Sequence, residues 1–306
     1  MDIYKVFLLV LAFALNMTKI YSQQSMDQYK VIFTNPPQHV PTSKTPDAPI
    51  AGNGDIGVTM GGGPDSLRFY IGKNDFWRAY PVYPGGIALP GGLDILFKEL
   101  KDASYYAEQL PGSAEIKATF STKACQVHLS AWVAATANKI IIELRSDKKQ
   151  IAHVRLWTVE GNGAITAHGN SPVTWVSRSF QTTKLLSWPT HIALAMNTEK
   201  DELILNPGET VRLVITVYTN HDTESWKNKA ISEAIQVTDT FIKQLRWEHQ
   251  TSGDCHILIL EIHILKNIII SRNIFLHVHL VKESSHRVFG DHLLHKMELR
   301  GVVIII

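Results

Sequence analysis

Two short stretches hold the residue types that could meet a polar ligand. The first is Gly52-Asn53-Gly54-Asp55-Ile56-Gly57, and the second is Lys73-Asn74-Asp75-Phe76-Trp77. Glycines at 52 and 54 permit positive φ, and Asn53 tolerates it, so the first stretch reads as a tight turn with Gly52, Gly54 and Gly57 as its structural residues. The second puts amide and carboxylate groups beside an indole on one loop. That mixture suits a sugar, whose C–H faces stack on aromatic rings and whose hydroxyls need directional donors and acceptors. Asn53, Asn74, Asp75 and Trp77 are therefore the candidate rim of a carbohydrate site.

Other chemistries fit less well. The first stretch matches G-x-G-x-x-G, but a dinucleotide fingerprint follows a strand and opens a helix. Here Pro46 and Pro49 precede it and Gly61-Gly62-Gly63-Pro64 follows, which no helix would carry cheaply. Cys255, His256, His263, His277 and His279 are scattered through a histidine-rich stretch with no supporting carboxylate geometry, so no metal or cofactor is expected. No G-x-S-x-G elbow occurs. Asp55, Asp65, Asp75 and Asp94 could supply an acid/base pair, although spacing along the chain does not fix separation in space. No catalytic residue is assigned.

These loops must be held by strands. From about 29 to 220, short apolar runs alternate with Gly, Pro, Asn and Asp clusters, which predicts an all-β fold, a large two-sheet antiparallel β-sandwich. Expected strands include Leu67–Ile71, Leu93–Leu100, Ile116–Phe120, Gln126–Val133, Ile140–Leu144, Ile151–Val159, Leu203–Leu205 and Val211–Tyr218. Gln126–Val133 alternates polar and apolar as a half-buried strand does. Asn206-Pro207-Gly208-Glu209 reads as a turn. From 221 to 250 the period changes to that of one amphipathic helix, with Ile231, Ala234, Ile235, Phe241, Ile242 and Leu245 on one face. Residues 251–306 form an atypical, irregular tail. Its part from 256 onward holds seven of the 14 histidines and no Pro, Trp or Tyr, and the tail is expected to be non-native, as from a shifted reading frame.

The N-terminus reads as an address. Val6–Leu15 is an unbroken apolar run behind Lys5, and residues 1–22 have the form of a secretory signal peptide. The run is too short to span a bilayer, so a secreted, extracellular or lysosomal protein without a membrane span is expected. The chain has 306 residues, of which 45% are hydrophobic and 19% charged. This is enough apolar material for a core. A net charge of +2 without a basic block argues against nucleic acid as a partner. Two cysteines, Cys125 and Cys255, exclude a disulfide framework.

The run P-x-x-G-N-G-x-x-G from Pro49 to Gly57, followed by Gly72-Lys73-Asn74-Asp75-Phe76-Trp77, resembles the N-terminal β-sandwich domain of glycoside hydrolases in the group of families 95 and 65. Family 95 α-L-fucosidases carry a similar pair of segments, the second of an Asn-Glu-Asp-x-x-Trp type; Lys73-Asn74-Asp75-Phe76-Trp77 departs from it. The resemblance spans about 29 to 250. It implies a sandwich, a linker helix and then a catalytic (α/α)6 barrel that would pack against both. The groups that perform inverting hydrolysis, about 6.5–9.5 Å apart, belong to that barrel. The expectation is thus an N-terminal accessory domain of a secreted carbohydrate-degrading hydrolase, inactive by itself, with a glycan as its ligand and apolar surface left open on the linker helix. The alternative is a stand-alone secreted carbohydrate-binding sandwich.

Overall fold

The computed structural model describes residues 29–41, 47–78, 86–161, 163–182 and 188–251, and the backbone of three short strands beyond them. Cys255, His256, His263 and His277, and the signal-peptide reading of residues 1–22, lie outside the described residues.

The architecture is an all-β antiparallel sandwich followed by two helices. The strands are β1 (Val31–Phe33), β2 (Ile50–Gly52), β3 (Ile56–Gly63), β4 (Ser66–Lys73), β5 (Trp77–Arg78), β6 (Gly86–Ile87), β7 (Gly91–Leu96), β8 (Ser104–Leu110) and β9 (Glu115–Ser121). They continue as β10 (Gln126–Val133), β11 (Lys139–Ser146), β12 (Gln150–Thr158), β13 (Ile165–Gly169), β14 (Trp175–Phe180), β15 (Thr190–Met196), β16 (Glu202–Leu205) and β17 (Thr210–Thr219). One sheet runs β1-β8-β9-β10-β11-β17-β15-β14-β13 and the other β16-β12-β7-β4-β3-β2, with β5 and β6 as a separate ribbon. The polar turn Ser146–Lys149 carries the chain from β11 in the first sheet to β12 in the second. Past 251, Val278–His279, Glu298–Leu299 and Val302–Ile304 pair as a small antiparallel sheet.

Period-two alternation explains the layers. Phe69 and Ile71 of β4, Leu93 and Ile95 of β7, and Val58 of β3 point inward against Phe120, Leu129, Ile142 and Ile215 of the larger sheet, forming one continuous core. β11 is apolar at consecutive positions because both of its faces are covered, as happens in buried strands. Ile140 and Ile142 enter the sandwich, whereas Ile141 packs outward with Trp132 and Val214 under a helix. The 206–209 turn forms as expected, with Glu209 N–H donating to Asn206 O at 3.1 Å and Gly208 at φ +79°. The expected strand Leu93–Leu100 stops at Leu96. Phe97 N–H donates to Asp65 O, Leu100 N–H donates back to Phe97 O, and Lys98–Leu100 winds into a 3₁₀ turn.

The single helix expected over 221–250 is two helices, α1 (Trp226–Ile235) and α2 (Asp239–Thr251). Gln236 leaves helical geometry, and Thr238 caps the second helix, its Oγ1 accepting from Phe241 N–H at 3.2 Å. Much of the apolar face expected to lie open is seated on the outer face of the larger sheet, while Ile235 and Trp247 remain exposed. Ala230 and Ala234 pack on Ala193 and Ala195, and Ile242 and Leu245 on Trp132, Ile141 and Val214. Each large aliphatic buried there contributes roughly 1.5–3 kcal/mol. Ile235, assigned from sequence to that face, is the last residue of α1 and is 52% exposed. Ion pairs fix the helices in place. Lys139 donates to Glu233 of α1, and Arg246 of α2 lies 2.8 Å from the buried Glu115.

Candidate functional site

Gly52-Asn53-Gly54-Asp55-Ile56-Gly57 forms the β2–β3 hairpin, with Gly52 opposite Gly57. Asn53 closes it locally: its Oδ1 accepts from Asp55 N–H at 3.0 Å and Ile56 N–H at 2.8 Å, an Asx-type turn. Its Nδ2 donates to Ala134 O at 2.8 Å, just beyond β10, and so ties the hairpin to the other sheet. Only Gly54 of the three turn glycines takes positive φ, at +88°. Gly52 is needed for a different reason, since a Cβ there would lie 2.8 Å from Ile56 O, whereas a Cβ on Gly57 would meet nothing within 4 Å.

The loop after β4 closes over this hairpin. Asn74 N–H donates to Asp55 O at 2.9 Å, and Trp77 Nε1–H donates to Asn74 O at 2.6 Å. Phe76 is buried and stacks on Phe180 at 5.5 Å. At the centre is Lys73, with 1% of its side chain exposed. Its Nζ donates to both carboxylate oxygens of Asp55, at 2.8 and 2.7 Å, and lies 3.5 Å from Asp75 and 3.4 Å from Asp222. Thr219 Oγ1 donates to Asp75 at 2.8 Å. Burial works against the Lys73 ammonium, but Asp75, Asp222 and Asp55 outweigh it and hold its pKa above the ordinary lysine value. Asp75 is displaced the other way: burial raises its pKa, and Lys73 and Thr219 offset this only in part.

All four candidate rim residues thus gather at one end of the sandwich, where β17 gives way to the helices. Asn53 and Asp75 commit side-chain atoms to internal bonds. Asn74 contributes chiefly its backbone, and Trp77 leaves 48% of its surface in solvent. The arrangement is a charge-paired knot with one exposed indole. Lys73, Thr219 and Asp222 were not among the site residues assigned from sequence. The signal at Lys73 was a lysine in an inward-facing position of an apolar strand, which requires buried counter-charges.

No family model matches the chain, and no curated protein matches it. Among solved structures, one described as a candidate kojibiose phosphorylase from the human microbiome superposes with a TM-score of 0.45 at 12% identity, over 74% of this chain. The chain spans 37% of the length of that neighbour.

Asp55 and Asp75 share one ammonium, while Asp65 and Asp94 lie elsewhere. Asp65 sits in the β3–β4 turn, and Asp94 on the opposite face of the smaller sheet is bound by Arg68 and Arg155. Among the described residues, no cluster of three or more His, Cys, Asp or Glu could hold a metal ion. No helix among them is long and apolar enough to cross a membrane. Cys125 is buried with a free thiol.

Proposed function

We propose that this chain is the N-terminal accessory sandwich of a secreted carbohydrate-degrading hydrolase of the α-L-fucosidase type, whose acid and base reside in a helical barrel that follows it. The observation that carries the reading is the position of the two motif stretches. The Gly52–Gly57 hairpin and the Lys73–Trp77 loop are knotted through Lys73 to Asp222, at the point where the chain leaves the sandwich for its helices. On this reading a domain following the helices would pack near this end, and the exposed Trp77 is the group the loop could lend to a sugar at the rim. Of the carboxylates read from sequence as a possible acid/base pair, Asp55 and Asp75 are both bound to Lys73 and Asp94 is bound to Arg68 and Arg155.

The test is hydrolysis of a nitrophenyl α-L-fucoside by this chain and by a product reading on past Gln250 into further helices. Turnover by the longer product alone supports the reading. Turnover by this chain alone contradicts it.

A further inference from the structure

The outer face of the smaller sheet carries a built polar surface that the motif stretches do not touch. Alternation along β4 turns Arg68 and Tyr70 outward, while Phe69, Ile71 and Lys73 face inward. Register then sets Asp94 of β7 between Arg68 of β4 and Arg155 of β12. Arg68 donates Nε–H and Nη2–H to the two oxygens of Asp94 at 2.7 and 2.9 Å, and Arg155 Nη2–H donates to Asp94 Oδ2 at 2.7 Å. Burial of Asp94 would raise its pKa, but the two guanidinium groups outweigh burial and keep it ionised. Asp94 is 6% exposed in its side chain, Arg68 44% and Arg155 69%, so the carboxylate is the fixed base from which two forks project.

The next row of the sheet is aromatic. Tyr70 and Trp157 flank Gly92, with ring centroids 5.7 Å apart and planes at 81°. Arg68 lies 5.1 Å over the Trp157 ring. Arg68, Tyr70, Asp94 and Arg155, with His153 and the chain at Gln38, line a groove of about 750 Å³, within the range of small-ligand sites; Trp157 stands behind Arg68 and Tyr70 and is not part of the lining.

We propose that this groove binds a neutral oligosaccharide. The two guanidinium groups already face Asp94, and Asp201 also lines the groove, so an anion would find little uncompensated positive charge. An apolar ligand would have to desolvate the ion pairs. Hydroxyl groups can accept from guanidinium N–H groups and donate to carboxylate oxygens without adding charge, and Tyr70 offers a ring beside them. The inference rests on the carbohydrate reading above and adds a second contact surface, on the other face of β4 from the Lys73 knot.

The experiment is calorimetric titration of the full chain with maltohexaose, cellohexaose and xylohexaose, and with polygalacturonate as the anionic comparison. At least one neutral hexasaccharide binds saturably, and Arg155→Ala and Tyr70→Ala each weaken it about tenfold, the size expected for a lost charged hydrogen bond or stacked ring. Arg155→Lys weakens it less, and Ile165→Ser, on the other sheet, leaves it unchanged. Circular dichroism identifies any variant that fails to fold; the solvent-exposed Arg155 position provides the decisive one. Binding of none of the neutral sugars, or of polygalacturonate alone, overturns the proposal. If Trp77→Ala abolishes binding and Arg155→Ala does not, the sugar sits on the rim loop; the groove is then refuted while the carbohydrate reading stands.

Discussion

Lys73 Nζ lies 3.4 Å from Asp222 Oδ1, joining the inward end of β4 to the segment that opens the helices. Both motif stretches hang from this ammonium, so its removal should be felt throughout that end of the sandwich. Lys73→Met leaves Asp55, Asp75 and Asp222 facing one another without a counter-charge. Discounted for the partial exposure of Asp55 and Asp222, the expected loss is about 2–4 kcal/mol in urea unfolding. Because Lys73 is held above its ordinary value of 10.5, its contribution is complete below that pH. The gap between wild type and variant narrows as pH rises through the higher folded value. A loss well under 1 kcal/mol, or a gap that widens in alkali, would sink the knot.

The hairpin glycines separate by cause. Gly52→Ala drives a Cβ against the backbone oxygen of Ile56 and should cost roughly 1–3 kcal/mol. Gly57→Ala meets open space and should change stability by less than about 0.5 kcal/mol. Thermal melts of the two variants check this, and equal losses would contradict the close approach at Gly52.

In acid, Asp94 gives a second signature. Burial pushes its carboxyl up, but hydrogen bonds from Arg68 and Arg155 prevail and hold its folded pKa below 3.8. Its contribution is therefore present above 3.8 and lost as pH falls through the lower folded value. Urea midpoints of wild type should fall more steeply over that window than those of Asp94→Asn. Parallel slopes would mean that the two arginines do not hold the carboxylate.

The seat of α2 is tested by Leu245→Ala, which empties a position 3% exposed against Trp132 and Ile141. The expected cost is about 2–5 kcal/mol, with about 1 kcal/mol for loss of the cap in Thr238→Ala. If Leu245→Ala unfolds at the wild-type urea concentration, α2 does not pack as described.

Much of the sandwich was legible because one strand face is buried and the other is not. Gln126–Val133 alternates cleanly until Trp132, where α2 covers the outer face. β14 and β15 were harder to read. Ala193 and Ala195 face a helix distant in sequence, so the small residues of that strand carry no outward polar pattern. The break between α1 and α2 contains neither Gly nor Pro, and its stop is set by Thr238 capping and by the surface beneath. The candidate loops were legible as turns, but the use of Asn53 and Asp75 was not. Their partners, Ala134 and Thr219, lie far along the chain, and only folding brings them to the same end.

The central claim, that this sandwich serves a catalytic domain that follows it, is tested most directly by sequencing the cognate transcript across the codons for Gln244 to Cys255. The expected result is a frame that continues past Gln250 into a long helical domain. A transcript that reads through to Ile306 and stops there would contradict it.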